Sequence, residues 1–177
     1  VGGTLKWLMG GPGMAFLYAR RDRIAAAHPS AIGWWAMRDP FAFDVQHVDL
    51  APNARRFEYG TPAVAAAYTA RAGIELLREI GVETVRARHM LLSQRLLDGA
   101  IAQGWEIGCV REAERRTPIV TLRHPEPARA VDALRERGCI ADYRPGLIRL
   151  SPHHFNTEDE MDATLELLAP LRETIPA

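Results

Sequence analysis

Gly2-Gly3-Thr4-Leu5-Lys6-Trp7-Leu8-Met9-Gly10-Gly11-Pro12-Gly13 places one lysine between a small, flexible entry and a glycine-rich exit, directly ahead of the apolar run Met14–Ala19. Of the 22 basic residues of the chain, Lys6 alone is lysine, which leaves 21 arginines. A lysine that condenses with a flat aldehyde needs such a setting. Its amine must be partly desolvated to be neutral often enough to attack, and glycines let the backbone approach a planar group. Residue types alone fit an exposed lysine beside a turn better. The Gly-Pro-Gly followed by Met14–Ala19 predicts a turn and then a buried strand.

Moving outward, residues 31–60 are rich in proline and aromatics (Gly33-Trp34-Trp35, Phe41, Phe43) and carry no helical period. A loop of that length inside a compact domain is usually functional. Thr61-Pro62 predicts a helix start with proline at its first position. Val64, Ala67, Ile74, Leu77 and Ile80 should mark its inward face, and Gly81 its stop. A second, longer helix is predicted from Val82 to about Gly104. Beyond it the pattern predicts strands at Trp105–Val110 and Pro118–Leu122 and a helix at Pro127–Arg137 ended by Gly138. Strands follow at Cys139–Tyr143 and Leu147–Leu150, then a last helix capped by Asn156 or Thr157 with Glu158, Asp159 and Glu160 in its first turn. From about residue 83 the order is α-β-β-α-β-β-α, an α+β sandwich with an antiparallel sheet and helices on one face. The first 60 residues lack such closure and are expected to belong to another sheet.

Two further clusters carry chemistry. Arg149, within Arg144-Pro-Gly-Leu-Ile-Arg149-Leu-Ser-Pro-His153-His154-Phe-Asn156-Thr, should point away from both Ile148 and Leu150 on a strand. Burying its charge requires a partner, and its planar fork suits a carboxylate, from a ligand or a structural ion pair. His153 and His154 have no carboxylate or cysteine at ligand spacing, so capping or surface roles are expected and no metal ligand is assigned. Phe57-Glu58-Tyr59-Gly60-Thr61-Pro62 at a helix N-terminus suits a phosphate, and simple capping equally.

The composition, 47% hydrophobic and 25% charged with zero formal net charge, points to no nucleic acid and no anionic membrane as partner. The pairs Arg20–Arg21, Arg55–Arg56 and Arg115–Arg116 are expected on solvated faces or in ion-pair networks. Two cysteines, Cys109 and Cys139, are too few for a disulfide framework and suit a reducing compartment as small buried residues. No apolar run approaches a membrane span and no signal segment is visible, so a cytoplasmic location is expected. Val1 opening onto Gly-Gly is expected to mark a cut from a longer protein.

Three segments together resemble the pyridoxal-phosphate (PLP) dependent aminotransferase class V family. They are Lys6-Trp-Leu with Gly-Pro-Gly and Phe-Leu-Tyr, Phe57-Glu-Tyr-Gly-Thr-Pro, and Arg149-Leu-Ser-Pro-His-His-Phe-Asn-Thr. The resemblance implies a fold-type I α/β enzyme: the end of the PLP-binding large domain (1–82, incomplete) followed by a small C-terminal α+β domain (83–177). It implies Lys6 as the Schiff-base lysine, Arg149 as the clamp for the substrate α-carboxylate, and Gly60 and Thr61 at the cofactor phosphate of the partner subunit of a homodimer. Gly33-Trp34-Trp35 with Phe41 and Phe43 looks like the kynureninase group, with Trp34 toward the cofactor and Trp35 toward the substrate. An aminotransferase or a kynureninase-like hydrolase is therefore expected, with an amino acid as substrate and with a non-catalytic dimerisation module as the alternative. Cys139 falls at a predicted strand start, where the cysteine desulfurases of the family have a loop cysteine, which disfavours desulfuration. The ring-stacking aromatic, the pyridine-nitrogen aspartate and the main phosphate loop of the family all precede its lysine. On that ground the chain alone should bind PLP poorly.

Overall fold

The computed structural model describes residues 1–172. It forms two compact units, Val1–Glu79 and a second beginning at Ile80.

In the first unit, β1 (Gly2–Gly3) pairs antiparallel with β2 (Ala15–Phe16), Gly2 opposite Phe16 and Gly3 opposite Ala15. Two residues are all that pair, and Phe16, Leu17 and Tyr18 remain exposed. The expected buried strand at Met14–Ala19 is thus a short, open ribbon, because a glycine pair offers it no side chains to pack against. A short helix α1 (Arg21–Ile24) buries Ile24. Residues 31–60 hold two 3-10 turns, Trp34–Ala36 and Ala54–Phe57, and a bridge between Met37 and Leu50.

Two arginines fix this long loop. Buried Arg56 donates from Nε to the Ala51 carbonyl (2.9 Å) and from Nη1 to the carbonyls of Ile24 (2.6 Å), Ala25 (3.4 Å) and Ala27 (3.2 Å). Arg55 reaches the carbonyls of Met37 and Arg38. The solvated role expected for this pair is corrected: a loop without a ladder must satisfy its carbonyls some other way, and a five-donor guanidinium does so. Arg56→Leu is expected to destabilise the unit by about 2–3 kcal/mol, from charged hydrogen bonds worth roughly 1.5–3 kcal/mol each, partly recovered by water. Urea unfolding followed by tryptophan fluorescence checks it.

Helix α2 spans Val64–Ile80. Its first intrahelical bond runs from Ala67 N–H to Ala63 O, so Pro62 lies ahead of the cap rather than at the first helical position. Gly81, at φ +91°, ends it as expected.

The second unit opens with α3 (Val82–Ala102). It continues through β3 (Val120–Arg123), α4 (Pro127–Glu136), β4 (Asp142–Arg144), β5 (Leu147–Leu150) and α5 (Glu158–Leu168). The sheet order is β3-β5-β4, antiparallel throughout. Alternate residues Val120, Leu122, Ile148 and Leu150 are buried on one face with Leu92, Leu96 and Leu97 of α3 and Met161 of α5. Burial of each such side chain stabilises the unit by roughly 1.5–3 kcal/mol. Thr157 and Glu160 close a capping box at the start of α5, meeting the expected cap. The strand expected at Trp105–Val110 is reduced to one bridge, Ile107 to Leu122, with flanking bonds Gly108 N–H to Thr121 O and Arg123 N–H to Glu106 O. Arg116, expected on a solvated face or in an ion pair, is buried and donates to the Ser93 hydroxyl, the Gln94 amide oxygen and the Arg111 carbonyl. Together these elements make an α/β chain whose second half is the expected α+β sandwich. Among the described residues no helix is long and apolar enough to cross a membrane.

Candidate functional site

Lys6 sits on a loop closed at its base. The Thr4 N–H and hydroxyl both donate to Met14 O (3.1 and 3.0 Å), and Gly10 N–H donates to Thr4 O (2.8 Å). Met9, in the left-handed region at φ +54°, returns its N–H to Lys6 O at 2.9 Å. A bulky residue in that region is strained and persists only where its surroundings impose it. Lys6 itself is exposed rather than partly desolvated as expected, and among the described residues its amine has no hydrogen-bond or ion-pair partner.

The far side of the loop rests on α2. Gly11 N–H donates to the Thr69 hydroxyl at 3.2 Å. A methyl group on Gly73 would stand 2.4 Å from Leu8 O, and one on Gly10 would meet the Ala70 Cα at 3.0 Å. The inward face of α2 is accordingly Ala70, Gly73 and Leu77, whereas Val64 and Ile74 are exposed. Leu77 is inward as expected, and Val64 and Ile74 were expected there too because helix partners are usually side chains. Here the partner is loop backbone, which requires small ones. The signal was present in Ala65-Ala66-Ala67 and Ala70-Arg-Ala-Gly73.

Trp34 and Gly60, assigned to the cofactor, come together: a methyl on Gly60 would lie 3.3 Å from the Trp34 indole nitrogen. Gly33 makes this possible, since any side chain there would overlap Tyr59 O at 1.7 Å. Trp34 packs edge-on to Trp35 (4.9 Å) and to Phe41 (5.8 Å). A cavity of about 470 Å³ is lined by Ile32, Trp34, Met37, Pro40 and Phe43, with Asp49 among its polar residues. Trp35 supports Trp34 without lining that cavity. Thr61 is exposed beside Gly60.

In the second unit, Arg149 lies on β5 on the face opposite buried Ile148 and Leu150, as alternation requires. Its Nη2 donates to Asp142 Oδ2 at 2.6 Å across the β4–β5 ladder. The Tyr143 backbone N–H, with Arg144 and Arg149, holds the Asp142 carboxyl below its ordinary value. Arg149 Nε is sealed from solvent without a partner among the described residues, and so is the hydroxyl of Thr121, its cross-strand neighbour on β3. Sequence reading missed Thr121, because only the β3–β5 register places it opposite Arg149.

Cys139 does not start a strand. It lies three residues before β4 in the connection after α4, held by its N–H to Leu134 O, with Sγ 3.9 Å from the Thr164 hydroxyl. Gly138 at φ +85° turns the chain there, so the argument against desulfuration from strand position falls away. His153 is buried and His154 half-buried, not on the surface, because His89 of α3 packs against both. Burial above all, then His153, His154 and Arg86, pushes His89 down to about 4.

A profile of the Aminotransferase class-V family matches residues 2–163. An uncharacterized aminotransferase of Bacillus subtilis, YcbU, is 31% identical over 94% of this chain and 44% of its own length. A kynureninase of Geobacillus thermodenitrificans is 32% identical over 83% of this chain and 36% of its own. The chain thus spans less than half the length of these curated relatives. Among solved structures, a complex of the cystine C-S lyase C-DES with its product cysteine persulfide superposes with a TM-score of 0.78 at 23% identity, over 94% of this chain and 45% of that one. That likeness establishes the fold-type I architecture. The family uses pyridoxal phosphate, and the partner-free amine of Lys6 on a braced loop fits an aldehyde cofactor.

Proposed function

The chain belongs to the aminotransferase class-V family, and we propose that the protein carrying it is a PLP-dependent enzyme that acts at the α-carbon of an amino acid, its cofactor attached to Lys6. The observation that carries this reading is the Lys6 loop, pinned by Thr4 and seated on the small face of α2, which fixes the backbone that bears one unpaired amine. Bound PLP supplies an electron sink for the charge left when a bond to Cα breaks. Lys6 then carries the proton to and from Cα, as a positioned amine can. Arg149 grips the substrate α-carboxylate through its fork, with the Thr121 hydroxyl beside it and Asp142 fixing the orientation of the guanidinium. Gly60 and Thr61 serve the cofactor phosphate of the partner subunit in a homodimer, with the Trp34 indole packed against Gly60. In this reading the chain is the C-terminal part of the enzyme, and alone it binds PLP weakly.

The aromatic cavity at Trp34 and Phe43 and the kynureninase relatives support an aryl-bearing substrate and β-cleavage alongside simple aminotransfer. Amino acids offered in turn, with keto-acid release scored against anthranilate release, separate the two. The cofactor reading is tested on the full-length protein by borohydride reduction and peptide mapping. A pyridoxyl label on Lys6 is expected. A full-length protein with no label there would leave the non-catalytic module as the better account.

Arg149→Gln is expected to raise KM for the amino acid about 10- to 100-fold with a smaller change in kcat. Charge-assisted hydrogen bonds of roughly 1.5–3 kcal/mol are lost, and each 1.4 kcal/mol is about tenfold. Steady-state kinetics on the full-length protein reads this out.

A further inference from the structure

Three histidines from distant parts of the sequence meet in the second unit. His89 comes from α3, and His153 and His154 from the segment that leaves β5. One nitrogen of each lies within 4.8 Å of the others. Ring centroids are 5.1 Å apart for His89 and His153, 6.1 Å for His89 and His154, and 4.5 Å for His153 and His154. Adjacent residues on extended chain project to opposite sides, so His153 and His154 converge only because the backbone leaves strand geometry after Leu150. Asn156 holds that departure: its Oδ1 accepts from His153 N–H (2.8 Å) and its N–H donates to His153 O (3.0 Å). Arg88 of α3 ties the same turn down, donating to Asn156 O and to Glu158.

We infer that His89, His153 and His154 form a binding site for a borderline divalent transition metal such as Zn²⁺, with three imidazole ligands and a fourth position for water or a small ligand. The donor set selects the metal class. It contains no carboxylate, which Ca²⁺ and Mg²⁺ would require, whereas neutral imidazole suits zinc, copper and nickel. Arg86, one turn before His89 on α3, is committed to the carbonyls of Ala113 and Arg116. The Nδ1 of His154 is sealed from solvent with no hydrogen-bond partner among the described residues, an arrangement that is costly unless a ligand uses it. Tetrahedral zinc with imidazole places its nitrogens roughly 3.3 Å apart. The rings therefore close by about 1.5 Å or less from the 4.8 Å limit, within reach of side-chain rotations. A metal here would staple α3 to the segment directly beyond the strand that bears Arg149, independently of any cofactor at Lys6.

The test uses the full-length protein, stripped with a chelator and titrated with Co²⁺ and Zn²⁺. The expected result is a nitrogen-type cobalt spectrum and uptake of metal by the parent, weakened at least tenfold by His154→Gln. Uptake at this site should be abolished by His153→Gln combined with His154→Gln. Zn²⁺ should raise the thermal midpoint of the parent and not that of the double variant. Changing the exposed His28 and His47 to Gln should leave binding intact. A parent that takes up no metal, a cysteine-to-cobalt band, or binding retained in the His153/His154 double variant overturns the inference. Because the parent titration is decisive by itself, a variant that fails to fold does not rescue it.

Discussion

Replacing Lys6 by alanine in the full-length protein is expected to lower turnover by at least about a thousandfold, the scale of losing both a covalent anchor and a positioned proton carrier. Borohydride labelling of this segment should vanish, while thermal unfolding changes little, because the Lys6 side chain is exposed and touches no core. Lys6→Arg should fail as completely. Arginine keeps the positive charge but is not deprotonated in proteins, so charge alone cannot substitute for a nucleophilic amine. Turnover within tenfold of the parent in either variant would mean that another group does this work.

The second large effect is expected at Gly73, at the centre of the small-residue face of α2. An alanine in mid-helix normally stabilises by about 1 kcal/mol over glycine. Here the added methyl would meet Leu8 O at 2.4 Å, and overpacking of that kind costs roughly 1–3 kcal/mol. The clash is with backbone, which cannot rotate away, so Gly73→Ala should destabilise. Gly73→Leu should cost about 3 kcal/mol or more and lift the Lys6 loop from α2. The paired readouts are the thermal midpoint and the rate of reductive labelling at Lys6. Both should fall, the second more steeply. A Gly73→Ala protein that melts higher than the parent would show that the loop is not seated on this helix.

The second unit was largely legible in the sequence. Strands with one inward face, a helix with proline at its start, and a threonine-glutamate capping box are local patterns, and Leu147–Leu150 and Pro127–Glu136 appear within a residue of expectation. The misreadings share one cause, a partner that sequence does not display. The inward face of α2 follows from contact with backbone rather than side chains. Met14–Ala19 was assigned a covering layer that the described residues do not supply. Arg56 and Arg116 looked solvated because their partners are uncharged oxygens from other segments, backbone carbonyls for Arg56 and the Ser93 and Gln94 side chains for Arg116. His153 and His154 looked superficial because His89, their companion, lies more than sixty positions earlier. For the candidate site, Lys6, Gly60 with Trp34, and Arg149 were named as candidates on the sequence alone. Thr121 required the ladder register, and Gly73 required the fold of the loop.

The guanidinium clamps at Arg55, Arg56, Arg86 and Arg116 also bear on chemoselectivity. A protein built to handle an aldehyde risks condensing with it at every lysine it uses as scaffolding. Here the cationic scaffolding is arginine, which forms no stable imine under such conditions, and a single side-chain amine remains in the chain. Within these 177 residues an aldehyde therefore finds only one side-chain amine with which to condense. With an aldehyde cofactor at Lys6, as proposed, the fasteners of the fold are inert toward it.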